Sequence, residues 1–524
     1  MPSRTHILLL PLLGAMLAAA LPAFAQLPPA QPDPLARMRE AASAQVCTTD
    51  DSSACAAAAP KIISSALGAS PLAENLRRLT DDIGGRLTGS PAMARAVAWG
   101  VAGFRDAGVD EVHTEKFTVP VTWSEGDSRL EVLSGAPFAV HLVSVGWSPA
   151  TPAAGIEANV VDVGFGEESD FAHVADAARG SILLVHTGTV RTLNDIFEQR
   201  MHGPEVVSRA SAAGAQAILW MSTRDAMLLY RSAAGADGAL GKLPQAIVAR
   251  EDAERLARNV ASGEKVRVRL QLPNKIGGPS EQENVVAEIR GREKPDEFVV
   301  LGAHLDSWDL GTGALDDGCN AALVIEAARD IHLTGLRPRR SIRFVLFGGN
   351  EQGMLGSHAY ALAHKAELDR AIAEIVFDEG TGRVTGFSLG GRRDIEPGLR
   401  ESVEPLASWG ITRNTYDAVF GSDNFDFLLE GVPTLVANQE EGNYAANDDA
   451  ASDTYDKVNL VNVKLNTAVA GLLAFSFAEH SAPLGRRLSR SEVDVLVKQT
   501  GLDKQMKSSD LWHSWESGQR GRQP

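Results

Sequence analysis

From Glu283 to about residue 440 short β-rich runs alternate with helical ones, and this rhythm constrains the fold more than any other feature of the chain. "NVVAEIRG", "FVVLGAH", "SIRFVLFGG", "AIAEIVFDEG" and "VPTLVANQ" have the length and apolar content of buried strands. "NAALVIEAARDIHL" places Ala321, Val324, Ile325 and Ala328 on one helical face, and "GMLGSHAYALAHK" is a second helix. Strands joined through helices pair in parallel and need cover on both faces. The expected class is therefore α/β, a mixed, largely parallel central sheet flanked by helices.

In such sheets ligands bind where strands end. "FVVLGA" delivers His304 and Asp306, "SIRFVLFGG" delivers Asn350 and Glu351, and "AEIVF" delivers Asp378 and Glu379. A histidine with several carboxylates suits a divalent metal. His304-x-Asp306 also fits the habit of a ligating imidazole, which hands its other N–H to a carboxylate; Asp306 is the expected orienting group. Singly, each feature has a plain explanation as a cap or a solvated acid. Together, on successive strand ends, they point to a metal site. "GALDDGCN" adds Asp316 and Asp317, adjacent carboxylates before a helix. One carboxylate bridging two cations explains how such a pair is tolerated: Asp316 bridges, and Asp317 caps the helix N-terminus.

The remaining chain sets the context. Arg4, the apolar "ILLLPLLGAMLAAALPAF" and "AFA" before Gln26 have the order of an export signal, residues 1–25, cleaved after Ala25; a membrane anchor is the alternative. A secreted or periplasmic location follows. No later stretch reads as long and apolar enough to cross a membrane. Cys47 and Cys55 flank a short polar loop and either close a disulfide or stay free thiols, while Cys319 packs as a small apolar residue. A helix is expected from Leu35, then helical spacing at Leu72, Leu76 and Leu79, then a helix from Ala92 to Ala107. Residues 125–276 have a different texture, with short β runs such as "RLEVL", "GSILLVH", "AQAILWM" and "EKVRVRLQL", and read as a mostly-β insert without metal ligands. The expected division is 26–124 and 277–484 for the main domain, 125–276 for the insert and 485–524 for a polar tail. The formal net charge of −17 argues against nucleic acid as a partner.

"GAHLDSWDLGTGALDDG" resembles the metal motif of the co-catalytic zinc exopeptidases, and most of all the carboxypeptidase Q-like proteins and bacterial leucyl aminopeptidases. The resemblance runs from about Leu72 to Leu473 through "LTDDIGGRLTGSP", "FGGNEQGMLGS", "FDEGTGRVTGFSLGG", "GSDNFDFLLEGVP" and "ASDTYDKV". It implies a zinc aminopeptidase-like fold with a protease-associated insert, short peptide substrates and a homodimer. It also implies a cis peptide at Asp316–Asp317 and two divalent metals. His304 and Asp378 would hold one, Glu351 the other, and Asp316 would bridge.

Two positions depart from the family pattern. Where relatives carry a glutamate that takes the proton of the attacking water, this chain has Asn350, whose amide cannot accept it at neutral pH. Where relatives place a metal-binding histidine four residues before the Asp of "DT", this chain has Asp449. The second site becomes all oxygen, so Mn²⁺, Mg²⁺ or Ca²⁺ suit it alongside Zn²⁺. Asp448, Glu440 and Glu441 are candidate substitute bases. Two functions follow: a metal-dependent exopeptidase with weakened chemistry, or a binding module that keeps the fold and has lost the reaction.

Overall fold

The computed structural model describes residues 52–523 apart from 135 and 236. The export signal, the helix expected from Leu35 and the pairing of Cys47 with Cys55 lie outside the described residues.

A seven-stranded sheet is ordered Glu111–Val119, Ser280–Ile289, Arg340–Phe347, Lys294–His304, Ala371–Val376, Thr434–Gln439, Val384–Ser388. The strands Arg340–Phe347, Lys294–His304, Ala371–Val376 and Thr434–Gln439 are mutually parallel. The others join antiparallel, which gives the mixed, largely parallel sheet that the alternation requires. Period-two alternation sorts the central strand's side chains. Val299, Leu301 and Ala303 face a core shared with the helices Ser52–Ala66, Pro91–Ala107, Cys319–Leu333 and Leu460–Glu479. Phe298 and Val300 face the opposite layer, with Tyr360 and Phe427.

The helix Leu460–Glu479 corrects one expectation. By length and composition it could cross a membrane, yet it runs through the main core and is mostly buried there. Cys319 is buried as expected, with its Sγ 3.4 Å from the Leu315 carbonyl.

Residues 129–271 build a second seven-stranded sheet. Its inner strands, Ile156–Asp162, Ile182–Val185, Ala217–Met221 and Gln245–Val248, are parallel and its outer pairs antiparallel. It carries more helix than a mostly-β reading allows: Leu193–Ala213 connects the parallel strands Ile182–Val185 and Ala217–Met221, and Arg250–Ala261 leads from Gln245–Val248 into the antiparallel strand Arg267–Gln271. Leu193–Ala213 starts at a capping box, in which the Thr192 side chain accepts from the Asp195 amide and Asp195 accepts from that of Thr192.

The C-terminal segment is also more ordered than a polar tail. Three helices, Arg490–Gln499, Leu502–Ser508 and Trp512–Glu516, bury Val493, Leu496, Leu502, Met506 and Trp515 against Phe425 and Leu429. Arg520 is buried and forks onto Asp426 at 2.8 and 2.6 Å.

Candidate metal centre

The four parallel strands all end at one place. His304 closes Lys294–His304, and Asn350 and Glu351 follow Arg340–Phe347. Asp378 follows Ala371–Val376, and the segment 444–449 follows Thr434–Gln439. Asp316 reaches the same point from the loop before the helix Cys319–Leu333, and the Asp316–Asp317 peptide is cis.

That loop is held from two distant parts of the chain. Buried Arg86 donates to the carbonyls of Leu305 at 2.6 Å, Thr312 at 2.7 Å and Gly313 at 2.8 Å. Gly313 is required: at φ 60° a Cβ there would lie 2.3 Å from Ser307 and 2.8 Å from the Arg86 guanidinium. Asp453 accepts from the amides of Ala314, Leu315 and Asp316 at 3.0, 2.7 and 3.1 Å.

His304 is buried, and its Nε2 lies 2.9 Å from Asp316 Oδ1 and 3.3 Å from Asp378 Oδ1. One ligand atom from each of these three residues falls within 4.8 Å of the others. A second group, Asp316, Asp448 and Asp449, meets the same limit and shares Asp316 with the first. Glu351 lies outside both groups, but its Oε1 and Asp449 Oδ1 are buried without a hydrogen-bond partner. Orphaned buried carboxylate oxygens are expensive unless a cation or donor meets them. The meeting of one imidazole and two carboxylates at His304, Asp316 and Asp378 fits a divalent metal.

The electrostatics agree. Burial and neighbouring Asp449 and Asp316 push Glu351 well above the usual carboxylate range. Burial and Asp448 do the same to Asp449, and burial lifts Asp448 to about 6. Asp316 goes the other way. Burial would raise it, but His304 and Arg200 overrule that and bring it to about 2. The Tyr444 hydroxyl also donates to it at 3.0 Å. The adjacent carboxylates thus differ in state: Asp316 is the stabilised anion, whereas burial drives Asp317 well above its ordinary range.

Two expected roles change. His304 Nδ1 meets the main-chain carbonyl of Asp306 at 3.0 Å, while the Asp306 carboxylate is 3.7 Å away. That carboxylate instead accepts from the amides of Asn350 at 3.1 Å and Glu351 at 3.2 Å and from the Thr88 hydroxyl at 3.0 Å. It fixes the turn that carries Asn350 and Glu351. Asp317 does not cap its helix; it accepts from the His304 amide at 3.1 Å and from Asn320 Nδ2 at 2.6 Å. Among the candidate bases, Glu440 and Glu441 are exposed, and Glu440 pairs with Arg383 at 2.8 Å. Asp448 is inside the cluster. Asn350 donates through Nδ2 to buried Asp423 at 3.1 Å.

Similarity to known proteins fits this geometry. The sequence profile of peptidase family M28 matches residues 284–473. Carboxypeptidase Q of Mus musculus is 30% identical over 420 residues, which cover 79% of this chain and 87% of that protein. The chain belongs to peptidase family M28. It is, with that family, a metallo-exopeptidase. Aminopeptidase YwaD of Bacillus subtilis is 26% identical over 305 residues, covering 58% of this M28 peptidase and 59% of that one. The solved peptidase M28 precursor from Shewanella amazonensis superposes with a TM-score of 0.75 at 28% identity, over 82% of this chain and 98% of that one. BSAP, a zinc aminopeptidase from Bacillus subtilis, shares the fold, with a TM-score of 0.60 at 20% identity over 80% of this chain and 97% of that one.

Proposed function

We propose that this M28 peptidase is exported and hydrolyses short peptides with a divalent cation held by His304, Asp316 and Asp378, zinc being the first choice. The observation that carries the reading is the meeting of those three residues at the ends of parallel strands, with Asp316 kept ionised. Kinship with carboxypeptidase Q supports the substrate class. The N-terminal sequence supports export, and the sheet of residues 129–271 is assigned to a protease-associated insert on the same resemblance.

A bound divalent ion supplies Lewis acidity, acidifying water and polarising a carbonyl. The chain's own residues do the rest. The Asp306 carbonyl fixes the His304 ring, and the Asp306 carboxylate fixes the turn of Asn350 and Glu351. Asn350 Oδ1 can accept a hydrogen bond from water but cannot take its proton. Asp448 lies inside the cluster, is lifted to about 6 by burial, and is assigned the weaker role of substitute base. Slow turnover follows from this arrangement. Dipeptide hydrolysis by the full chain, with zinc supplied and then chelated, tests the reading: turnover should need the metal.

Asn350 gives the second reading its support. A protein that has lost the reaction on this fold would bind metal and peptide yet show no hydrolysis even after Asn350→Glu.

A further inference from the structure

The acidic cluster of Asp316, Asp448 and Asp449, where the family resemblance implies a second metal, already contains a cation of the chain's own. Arg200, from the helix Leu193–Ala213 beside the second sheet, places Nη2 3.1 Å from Asp449 Oδ2 and 3.4 Å from Asp448 Oδ1. Its side chain is 51% exposed, so the guanidinium enters from the open side onto carboxylates that are almost wholly buried.

The placement is built. Its neighbour Gln199 hydrogen-bonds the hydroxyl of buried Tyr230, and Met201 Sδ lies 3.9 Å from the Ser508 hydroxyl. The segment with Tyr230 pairs in turn with the carboxylate loop. Arg231 N donates to the Asp449 carbonyl at 3.0 Å, Ala451 N donates to the Leu229 carbonyl at 2.9 Å, and Tyr230 bridges Ala450. Arg224 donates to the Asp448 carbonyl at 3.2 Å, with its Nη2 3.7 Å from the Asp448 carboxylate. Asp449 holds φ 60°, a left-handed backbone in which this pairing fixes it.

We propose that Arg200 stands in for the second metal: its guanidinium pairs with Asp449 and Asp448, the latter also faced by Arg224, so the protein binds one divalent ion tightly, at His304, Asp316 and Asp378, and a second weakly or not at all. The chemistry is coherent with the sequence change at residue 449. A histidine there would repel a guanidinium when protonated and offer it no acceptor pair, whereas an aspartate offers Arg a charged hydrogen-bond acceptor. Exchanging a neutral ligand for an anion adds one negative charge to the cluster, and one arginine balances it. Asp449 Oδ1 and Glu351 Oε1 remain buried and unpartnered, so the pocket keeps oxygen ligands that a second ion can use once the arginine is gone.

This inference rests on the metallopeptidase reading, and the test separates the two. The full chain is stripped with chelator and titrated with Zn²⁺ and with Mn²⁺ by calorimetry, with metal content read by mass spectrometry after dialysis. The parent should retain a single tight equivalent. Arg200→Gln should gain a second equivalent bound at least about tenfold tighter than in the parent, the floor set by bulk-water screening of a charge at contact distance from a divalent ion. Arg200→Lys, which keeps the charge, should follow the parent. Asp378→Asn should lose the tight equivalent, which tests the first site independently. Two equivalents of similar affinity in the parent, or a second-site affinity unmoved by Arg200→Gln, would overturn the proposal and leave the metallopeptidase reading standing. No tight equivalent in any variant would overturn both.

Discussion

Replacing Asn350 by glutamate puts a carboxylate where the family resemblance implies a proton acceptor, but the structure adds a condition. Asn350 Nδ2 donates to Asp423 Oδ2 at 3.1 Å, and Asp423 is buried. In Asn350→Glu two carboxylates would stand about 3–4 Å apart, where like charges repel by about 4–5.5 kcal/mol at an effective dielectric of ~20. They cannot both ionise, so the pair holds one proton near neutrality. Burial already lifts Asp423 to about 7, so Asp423 keeps that proton and turns from acceptor to donor. The new carboxylate stays ionised and free to act as base. A general base contributes about 10²- to 10⁴-fold, or about 2.7–5.5 kcal/mol of barrier. The assay is kcat/KM for a dipeptide across pH 5–9 at equal metal content. The gain should be full near pH 7 and fade as acid protonates the pair. Asn350→Glu with Asp423→Asn, whose amide is a fixed donor, should keep the gain. Vigorous parental turnover that Asn350→Glu leaves unchanged would refute the reasoning, because another group would already be the base.

Tyr444→Phe removes the hydroxyl that donates to Asp316 at 3.0 Å and should weaken metal binding about tenfold, read by calorimetry with the fold intact. Arg86→Lys loses the three-way fork on Leu305, Thr312 and Gly313; with about 1–3 kcal/mol for each carbonyl left unmet, urea unfolding should show a loss of about 2–6 kcal/mol. Asp330, in the core helix Cys319–Leu333, is raised to about 7, first by burial and then by Glu326. The folded state therefore keeps a proton that the unfolded chain releases near pH 4, so its contribution to stability falls by about 4 kcal/mol as pH rises from about 4 to about 7. Asp330→Asn should remove that fall and unfold at higher urea than the parent at pH 8, by about 1–3 kcal/mol once the amide's unmet N–H is allowed for.

The residues that meet at strand ends were legible because their positions follow from local patterns. Apolar runs end at His304, before Asn350 and before Asp378, and in a parallel sheet those ends share one edge. The groups that position them were not legible, because their partners lie far along the chain. Arg86 holds a loop 219 residues on, and Arg200 meets Asp448 across 248 residues. An arginine in a loop or on a half-exposed helix carries no periodic signal for such a role. The Leu193–Ala213 helix is hard to read from the sequence because Gly203 and Pro204 interrupt its apolar spacing; the Thr192–Asp195 capping box marks its start. The C-terminal helices were obscured by their Arg, Ser and Lys content, since their apolar face is narrow and packs on Phe425 and Leu429. Asp306 had the right neighbour and the wrong atom: spacing cannot say whether the carbonyl or the carboxylate faces the ring.

The most direct test of the central claim pairs metal content with turnover on one preparation. The full chain is stripped of metal, assayed on a dipeptide, titrated with zinc and assayed at each step, beside Asp378→Asn treated identically. Turnover by the parent should be absent without metal and should rise in proportion to the first bound equivalent, while Asp378→Asn should show neither tight binding nor turnover. Undiminished hydrolysis by metal-free protein, or parental rates in Asp378→Asn, would contradict a cation held by His304, Asp316 and Asp378 as the seat of the reaction.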